Sequence, residues 1–250
     1  MLVAHQHDGV PIEAFGAVKG VEFRCPGCKE RVILKQGHIV VHHFAHYPDS
    51  RCSFGTGETL AHLHAKYVMV TSLRQRGWRA EVEYVPEGNP GRCIDVITWP
   101  PHLRRGLVIE FQHTPIDPET IFKRADDYAE LGYAQVWVPF WKPDLVVTVE
   151  SRPYPKYVAA PFERWIQGFN YGKGLWYFDP KNNSFRWAKL SAHKWEEEGG
   201  DYEGYSKRWR TLQLIVSCDV DSFLFKTDQR HESNLAYHKW PRCSRGVIYI

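Results

Sequence analysis

Arg92-Cys93-Ile94-Asp95-Val96-Ile97-Thr98, then a Pro100-Pro101 turn and a basic link, then Gly106-Leu107-Val108-Ile109-Glu110-Phe111-Gln112 is the stretch on which this chain turns. Two short apolar runs bounded by Gly and Pro read as the strands of a hairpin. Each run carries one acid, Asp95 in the first and Glu110 in the second. A carboxylate inside an apolar strand is costly unless it is paired or holds a metal. Neighbouring strands would bring the two acids together, where like charges repel and a divalent cation removes the repulsion. Gln112, two residues past Glu110, points to the same face of its strand.

Working outward, the alternation from Trp78 to Val85 predicts a strand before this pair, with a turn at Glu87-Gly88-Asn89-Pro90-Gly91. Ile116 to Leu131 reads as a helix opened by Asp117-Pro118-Glu119, and Ala134 to Phe140 as a fourth strand. Upstream, a helix is expected from Thr56-Gly57-Glu58 to about Arg76, ending at Gly77, with Leu60, Leu63, Tyr67 and Val70 as its apolar stripe. Glu58, His62 and Lys66 recur every fourth residue and share another face. As a solvated face, such pairs add roughly 0.2–0.5 kcal/mol each. As a site, Glu58 is a further metal ligand with His62 and Lys66 beside it. The order helix, three strands, helix, strand predicts an α/β core with a mixed sheet.

The first residues read as short strands leading to Cys25-Pro26-Gly27-Cys28. Two thiolates at this spacing on a tight turn suit one tetrahedral zinc. A strand at Arg31–Lys35, a turn at Gln36-Gly37 and a strand at His38–Val41 would return a second ligand pair to the first. The expected ligands are Cys25, Cys28, His46 and Cys52, with His43 as the alternate to His46. Four protein ligands leave no open position, so this zinc would fold the segment and do no chemistry.

Composition sets wider bounds. Hydrophobic content of 43% and charged content of 24% over 250 residues are those of a globular protein with ample core. The net charge of +3 permits a polyanionic partner without arguing for one. No run of about 18 apolar residues suggests a transmembrane helix, and no secretion signal is recognised, so a cytoplasmic location is expected. The clustering of Cys25, Cys28 and Cys52 near histidines then favours metal over disulfides.

Pro139, Pro143, Pro153, Pro155 and Pro161 mark a change of composition near residue 150. Beyond it, Gly174–Phe178 and Ser184–Leu190 flank a turn and predict a hairpin. Lys194 to Trp209 reads as helix or loop. Aromatic and basic residues interleave at Trp165, Tyr171, Lys173, Trp176, Arg186, Trp187, Lys207, Trp209 and Arg210. That pattern suits stacking on single-stranded bases, although core packing accounts for much of it.

Asp95 followed by Glu110-Phe111-Gln112 resembles the active site of the PD-(D/E)XK nuclease superfamily, with Gln112 where that pattern has Lys. Gln112-His113-Thr114-Pro115-Ile116, the run Ala134-Gln135-Val136-Trp137-Val138 and the upstream Cys-Pro-Gly-Cys and His43-Phe44-Ala45-His46 units are similar to the CoiA-like competence protein family. The resemblance covers roughly residues 10–145. It implies a zinc-ribbon-like module at 1–55, a restriction-endonuclease-like nuclease domain at 56–148, and an aromatic-rich C-terminal region at 149–250. It implies a Mg²⁺- or Mn²⁺-dependent nuclease hydrolysing phosphodiester bonds in DNA, in DNA uptake and recombination or in defence against foreign DNA, with partner proteins of those processes and no membrane. Asp95, Glu110 and Glu58 would hold the metal; Gln112, His62 and Lys66 complete the expected catalytic set. Arg92, Arg124 and Tyr128 are candidate nucleic-acid contacts. Gln112 orients a water but supplies no charge, a gap that Lys66 or Arg92 would have to fill. It keeps a rival reading open: a zinc-containing, nucleic-acid-binding adapter that retains the fold without catalysis. An RNA-directed nuclease is a third reading.

Overall fold

The computed structural model describes residues 1–52, 54–55, 58–89, 91–141, 157–196, 203–230, 233–235 and 238–249. The chain divides into two compact units, Met1–Trp99 and Pro100–Ile250.

The first unit opens with an antiparallel sheet. Its strands β1 (Val3–His5), β2 (Pro11–Glu13), β3 (Phe23–Arg24), β4 (Arg31–Lys35) and β5 (His43–His46) lie in the order β2-β1-β3-β4-β5. Its core is small: Met1, Ala4, Ala14, Ala17, Phe23, Cys25, Val32 and Phe44 among the described residues, three of them alanines, with the Phe23 and Phe44 rings 5.0 Å apart. So few apolar groups are a thin basis for independent stability, the situation in which small modules recruit a metal. The return strand expected at His38–Val41 falls instead at β5, with Val32 opposite His46 and Leu34 opposite Phe44. This register buries Phe44, whereas Ile39 in the connecting segment is 99% exposed.

Helix α1 (Leu60–Gln75) follows. Thr59 is its N-cap, its hydroxyl accepting from the His62 N–H at 3.2 Å, so Glu58 precedes the helix. Of the expected opening, Thr56 and Gly57 lie outside the described residues. The helix buries Leu63, Met69, Val70 and Leu73 and leaves Leu60 exposed. The apolar stripe is therefore rotated from the expected one, and Lys66 falls inside, at 2% exposure. Strands β6 (Arg79–Tyr84) and β7 (Ile94–Trp99) then pair antiparallel, with Val82 opposite Val96.

The second unit begins with β8 (Leu107–Gln112), α2 (Pro118–Glu130) and β9 (Ala134–Pro139). Asp117 caps α2, its Oδ1 accepting from the N–H groups of Glu119 and Thr120 at 3.0 and 2.9 Å, and Pro118 opens the helix. β8 and β9 pair parallel and are buried along their whole length, as parallel strands covered on both faces are. After α3 (Pro161–Phe169) come β10 (Leu175–Asp179), β11 (Ser184–Glu196) and β12 (Glu203–Asp219), a three-stranded antiparallel sheet. The expected hairpin is β10–β11. The helix or loop expected at Lys194–Trp209 is instead strand on both sides of 197–202, with Lys194 opposite Tyr205. Cross-strand backbone pairing, which local composition does not disclose, overrides the charged sequence there.

The remaining strands are β13 (Leu224–Arg230), β14 (Ser233–Leu235), β15 (His238–Trp240) and β16 (Cys243–Tyr249). β16 pairs parallel with β9 and antiparallel with β13, so this unit holds strands in the order β13-β16-β9-β8, a mixed sheet as expected. Trp165, Tyr177, Phe178, Phe185 and Phe223 are fully buried and build the aromatic core. The composition change near 150 lies outside the described residues, as do the side chains of Lys207 and Trp209. Among the described residues no helix is long and apolar enough to cross a membrane.

Candidate metal centre and nuclease-like site

Cys25, Cys28, His46 and Cys52 converge, one ligand atom from each lying within 4.8 Å of all the others. The Cys25 and Cys52 sulfurs are 4.0 Å apart, and Cys28 Sγ is 3.5 Å from His46 Nε2. Tetrahedral zinc with sulfur at about 2.3 Å and nitrogen at about 2.0 Å requires roughly 3.8 and 3.5 Å for these separations. The donor set thus fits a structural zinc. The Gly27 and Phe54 N–H groups each donate to a thiol sulfur, Cys25 and Cys52 respectively, at 3.3 Å. Such contacts orient ligands and stabilise thiolates. Gly27 is required here, because a Cβ on it would stand 2.9 Å from Phe54 Cβ. Burial and the neighbouring Cys52 and Cys25 sulfurs push the Cys28 thiol up to about 12, so ionising the set calls for a cation to share. His43, the alternate ligand, is outside this group; its Nδ1 lies 2.9 Å from the Val41 carbonyl oxygen. The register of β4 and β5 decides between the two histidines.

The first unit also gathers Glu58, His62, Lys66 and Asp95. His62 Nε2 lies 3.0 Å from Asp95 Oδ2, and its Nδ1 lies 3.2 Å from Glu58 Oε1. Burial alone would lower the pKa of His62, but the Asp95 and Glu58 carboxylates carry it up to about 9, so the protonated ring donates to both. Lys66 is ion-paired to Glu58 and, at 2.6 Å, to Glu83 Oε1. Burial opposes its charge, yet Glu83, Glu58 and Asp95 together hold it above the usual lysine range. Burial likewise works against the Glu58 carboxylate, which His62 and Lys66 hold well below the usual range.

Glu83 is the residue missed from sequence. It sits on β6 with φ +50°, a conformation non-glycine residues rarely adopt, and it is 7% exposed. Its Oε2 accepts from the Val3 N–H at 2.9 Å. Val82 pairs with Val96 and Tyr84 with Ile94, which sets Glu83 across from Asp95. The alternation of β6, Arg79-Ala-Glu-Val-Glu-Tyr, places Glu83 with Glu81 on a polar face, so the local pattern conceals it; the positive φ at Glu83 is what turns it inward.

In the second unit Glu110 is 1% exposed on β8. Arg124 on α2 donates to its Oε2, and the Tyr128 hydroxyl donates to its Oε1 at 2.6 Å. Tyr128 is fully buried; burial and then Glu110 push its pKa well above that of a free phenol. Arg124 and Tyr128, expected as phosphate contacts, thus lie against the acid. One α2 turn separates them, which is why both reach the same carboxylate. Gln112 is also buried, and its amide donates to the Thr114 carbonyl. Arg92 sits just before β7, its N–H donating to the Asn89 carbonyl at 3.1 Å. Carboxylate oxygens are the right donors for Mg²⁺ or Mn²⁺. Each of Glu58, Asp95 and Glu110 already faces a cationic side chain.

Residues 8–55 match the family model of the competence protein CoiA N-terminal domain, and residues 58–197 match that of the competence protein CoiA nuclease-like domain. No curated protein and no solved structure gives a significant match. The nuclease-like match and the mixed α/β sheet identify the core as PD-(D/E)XK-like, preceded by a β module bearing the Cys/His cluster.

Proposed function

We propose that this chain, which belongs to the CoiA competence-protein family, is a divalent-metal-dependent nuclease that hydrolyses phosphodiester bonds in DNA. It would act in the cytoplasm, in the handling of incoming DNA or in defence against it, alongside partner proteins of those processes. Asp95, Glu110 and Glu58 would hold Mg²⁺ or Mn²⁺. The bound metal would activate a water and stabilise charge on the phosphate. The observation that carries the reading is a set of largely buried acids, Glu58, Asp95 and Glu110, each against a cationic side chain. His62 holds Asp95 in place and carries a proton at Nε2. Lys66 is buried against Glu58 and within electrostatic reach of Asp95. It supports the idea that positive charge, lost from the position of Gln112, comes from α1. Arg124 and Tyr128 fix the rotamer of Glu110. A structural zinc on Cys25, Cys28, His46 and Cys52 would hold the small N-terminal sheet.

One observation favours the non-catalytic adapter: the Gln112 amide is directed to the Thr114 carbonyl. Cleavage of linear, circular, single- and double-stranded DNA with Mg²⁺ or Mn²⁺, beside Asp95→Ala and Glu110→Ala, separates the two. The nuclease loses cleavage in both variants and keeps DNA binding. Binding without cleavage in the parent would leave the adapter. Cleavage that survives both substitutions would refute the assigned acids.

A further inference from the structure

We propose that a cleft in the second unit, lined by none of the acids of the nuclease-like site, holds an unpaired nucleotide of a single-stranded nucleic acid. The inference rests on the nucleic-acid reading above but does not require catalysis. The cleft has a volume of about 440 Å³, within the usual range of small-ligand sites, about 300–1,000 Å³. It lies where β10–β12 meet β9, β16 and β13, and Trp176, Trp187, Lys173, Lys226, Val216 and Arg245 are among its lining residues.

Two features make this more than a gap between sheets. The first is the placement of its indoles. Trp176 is buried and its Nε1 donates to the Ile248 carbonyl at 3.2 Å, so it forms a fixed wall. Trp187 is only partly buried and lies 5.3 Å from Trp176, tilted by 52°. The β11–β12 register shifts between Trp187 and Ala188. Such a bulge re-aims a side chain and recurs beside functional sites. Gly174, at φ +132°, lets the Trp187 ring approach the backbone, because a Cβ there would stand 2.8 Å from Trp187 Cζ2. Val216, the cross-strand neighbour of Trp187, is 39% exposed, so this side of the cleft stays open and apolar.

The second feature is charge. Arg245 is paired with Asp228, its Nε donating to Oδ1 at 2.8 Å, so the one acid among the described residues that line the cleft is neutralised. Lys173 and Lys226 are exposed at its rim, Lys226 with its Nζ 5.3 Å from the Tyr249 ring centroid. An aromatic wall beside two ammonium groups matches a base attached to a phosphate. Only an unpaired base offers a free face to an indole, since duplex bases are stacked on their neighbours. The occupant is therefore one nucleotide of a single strand.

The test uses the full chain with fluorescein-labelled oligothymidylate, no divalent cation added, and anisotropy as readout. Trp187→Ala should weaken binding about tenfold or more, the effect of losing one stacked base. Trp187→Phe, which keeps a ring, should stay within about threefold of the parent. Lys173→Glu with Lys226→Glu should lower the slope of log K against log salt by about 1.4, from two phosphate contacts on a single strand. Affinity for a duplex of equal length should not change in Trp187→Ala. Oligothymidylate binding by Trp187→Ala equal to the parent's would overturn the proposal. If that variant misfolds, an unaltered salt slope in the lysine pair overturns it instead. Thymidine monophosphate binding as tightly as the oligomer would overturn the strand assignment. A parent that binds through this cleft and cuts nothing removes the nuclease reading alone; one that cuts DNA while cleft variants bind normally removes this inference alone.

Discussion

Lys66→Met is the most informative single substitution in the first unit. Methionine preserves the aliphatic stem and its packing, so the change removes little but the ammonium. That ammonium is ion-paired with Glu58 and Glu83, with Glu83 Oε1 at 2.6 Å, and the three side chains are 3%, 9% and 3% exposed. Glu58 keeps His62 and the Met1 ammonium, at 3.2 and 3.0 Å, but Glu83 loses its cation, and breaking a buried ion pair in this way costs about 3–5 kcal/mol. With a urea m-value of about 2 kcal/mol/M, a loss of 4 kcal/mol moves the unfolding midpoint down by about 2 M. Far-UV circular dichroism in a urea series reads this directly. Glu83→Gln in the same chain removes the unpaired charge and keeps an oxygen for the Val3 N–H, so the double variant should recover part of the loss. The pH dependence has a defined sign. Glu58 is held below the usual carboxylate range, so its contribution is present above about pH 4.3 and is lost as pH falls. Lys66→Met removes the Lys66 share of that contribution while His62 and the Met1 ammonium, 3.0 Å from Glu58 Oε2, retain theirs, so its gap from the parent should narrow on acidification. Stability of Lys66→Met within about 0.5 kcal/mol of the parent at neutral pH, or no recovery in the double variant, would refute this account of the cluster.

Tyr128→Phe leaves the buried Glu110 Oε1 without the hydroxyl donor at 2.6 Å and should cost about 1.5–3 kcal/mol in a urea series. The Cys/His cluster predicts about one zinc per chain by elemental analysis; Cys52→Ser or His46→Ala should lower that content sharply and expose the β1–β5 sheet to protease. Burial works against the Asp179 carboxylate, but Asn182, Arg186 and the Lys181 N–H hold its pKa below the usual range. Its contribution is present above about pH 3.9 and lost below it; Asp179→Asn should therefore flatten the acid limb of the stability profile of the second unit, as read from urea midpoints between pH 3 and 6.

The sequence disclosed those parts of the fold that are written locally. Asp117-Pro118 fixes the start of α2 because the cap and the proline act within one turn. The strands at Asp95 and Glu110 are bounded by Gly and Pro on either side. The return strand of the N-terminal sheet was misplaced by several residues, since Ile39-Val40-Val41 has strand composition but no buried face to occupy. The long β11–β12 pairing was hidden for a related reason: it is held by cross-strand hydrogen bonds, and Lys194–Trp209 carries charges that locally argue against a strand. The rotation of α1 that buries Lys66 likewise depends on what packs against the helix, and its own sequence offered Leu60 and Tyr67 as equally good core residues.

The site divides along the same line. The Cys25-x-x-Cys28 pair declares itself by spacing, but choosing His46 over His43 needs the β4–β5 register, which sets Val32 opposite His46. Glu83 shows how far the argument from buried acids extends. Glu83, Asp95 and Glu110 are carboxylates carried on strands into the protein interior, and none is tolerable there without a partner. Each has one from a helix: Lys66 for Glu83, His62 for Asp95, Arg124 for Glu110. The cation need not come from a helix in every case, since buried Asp179 on β10 takes Arg186 from the neighbouring strand β11. The same reasoning bears on Gln112. With an amide in place of an ammonium, that position adds no charge, and the compensation required by Asp95 and Glu110 comes from His62 and Arg124. An amide at Gln112 is then no argument that these acids lack electrostatic support, and cleavage kinetics of His62→Gln and Arg124→Gln measure whether the helix cations matter to the reaction.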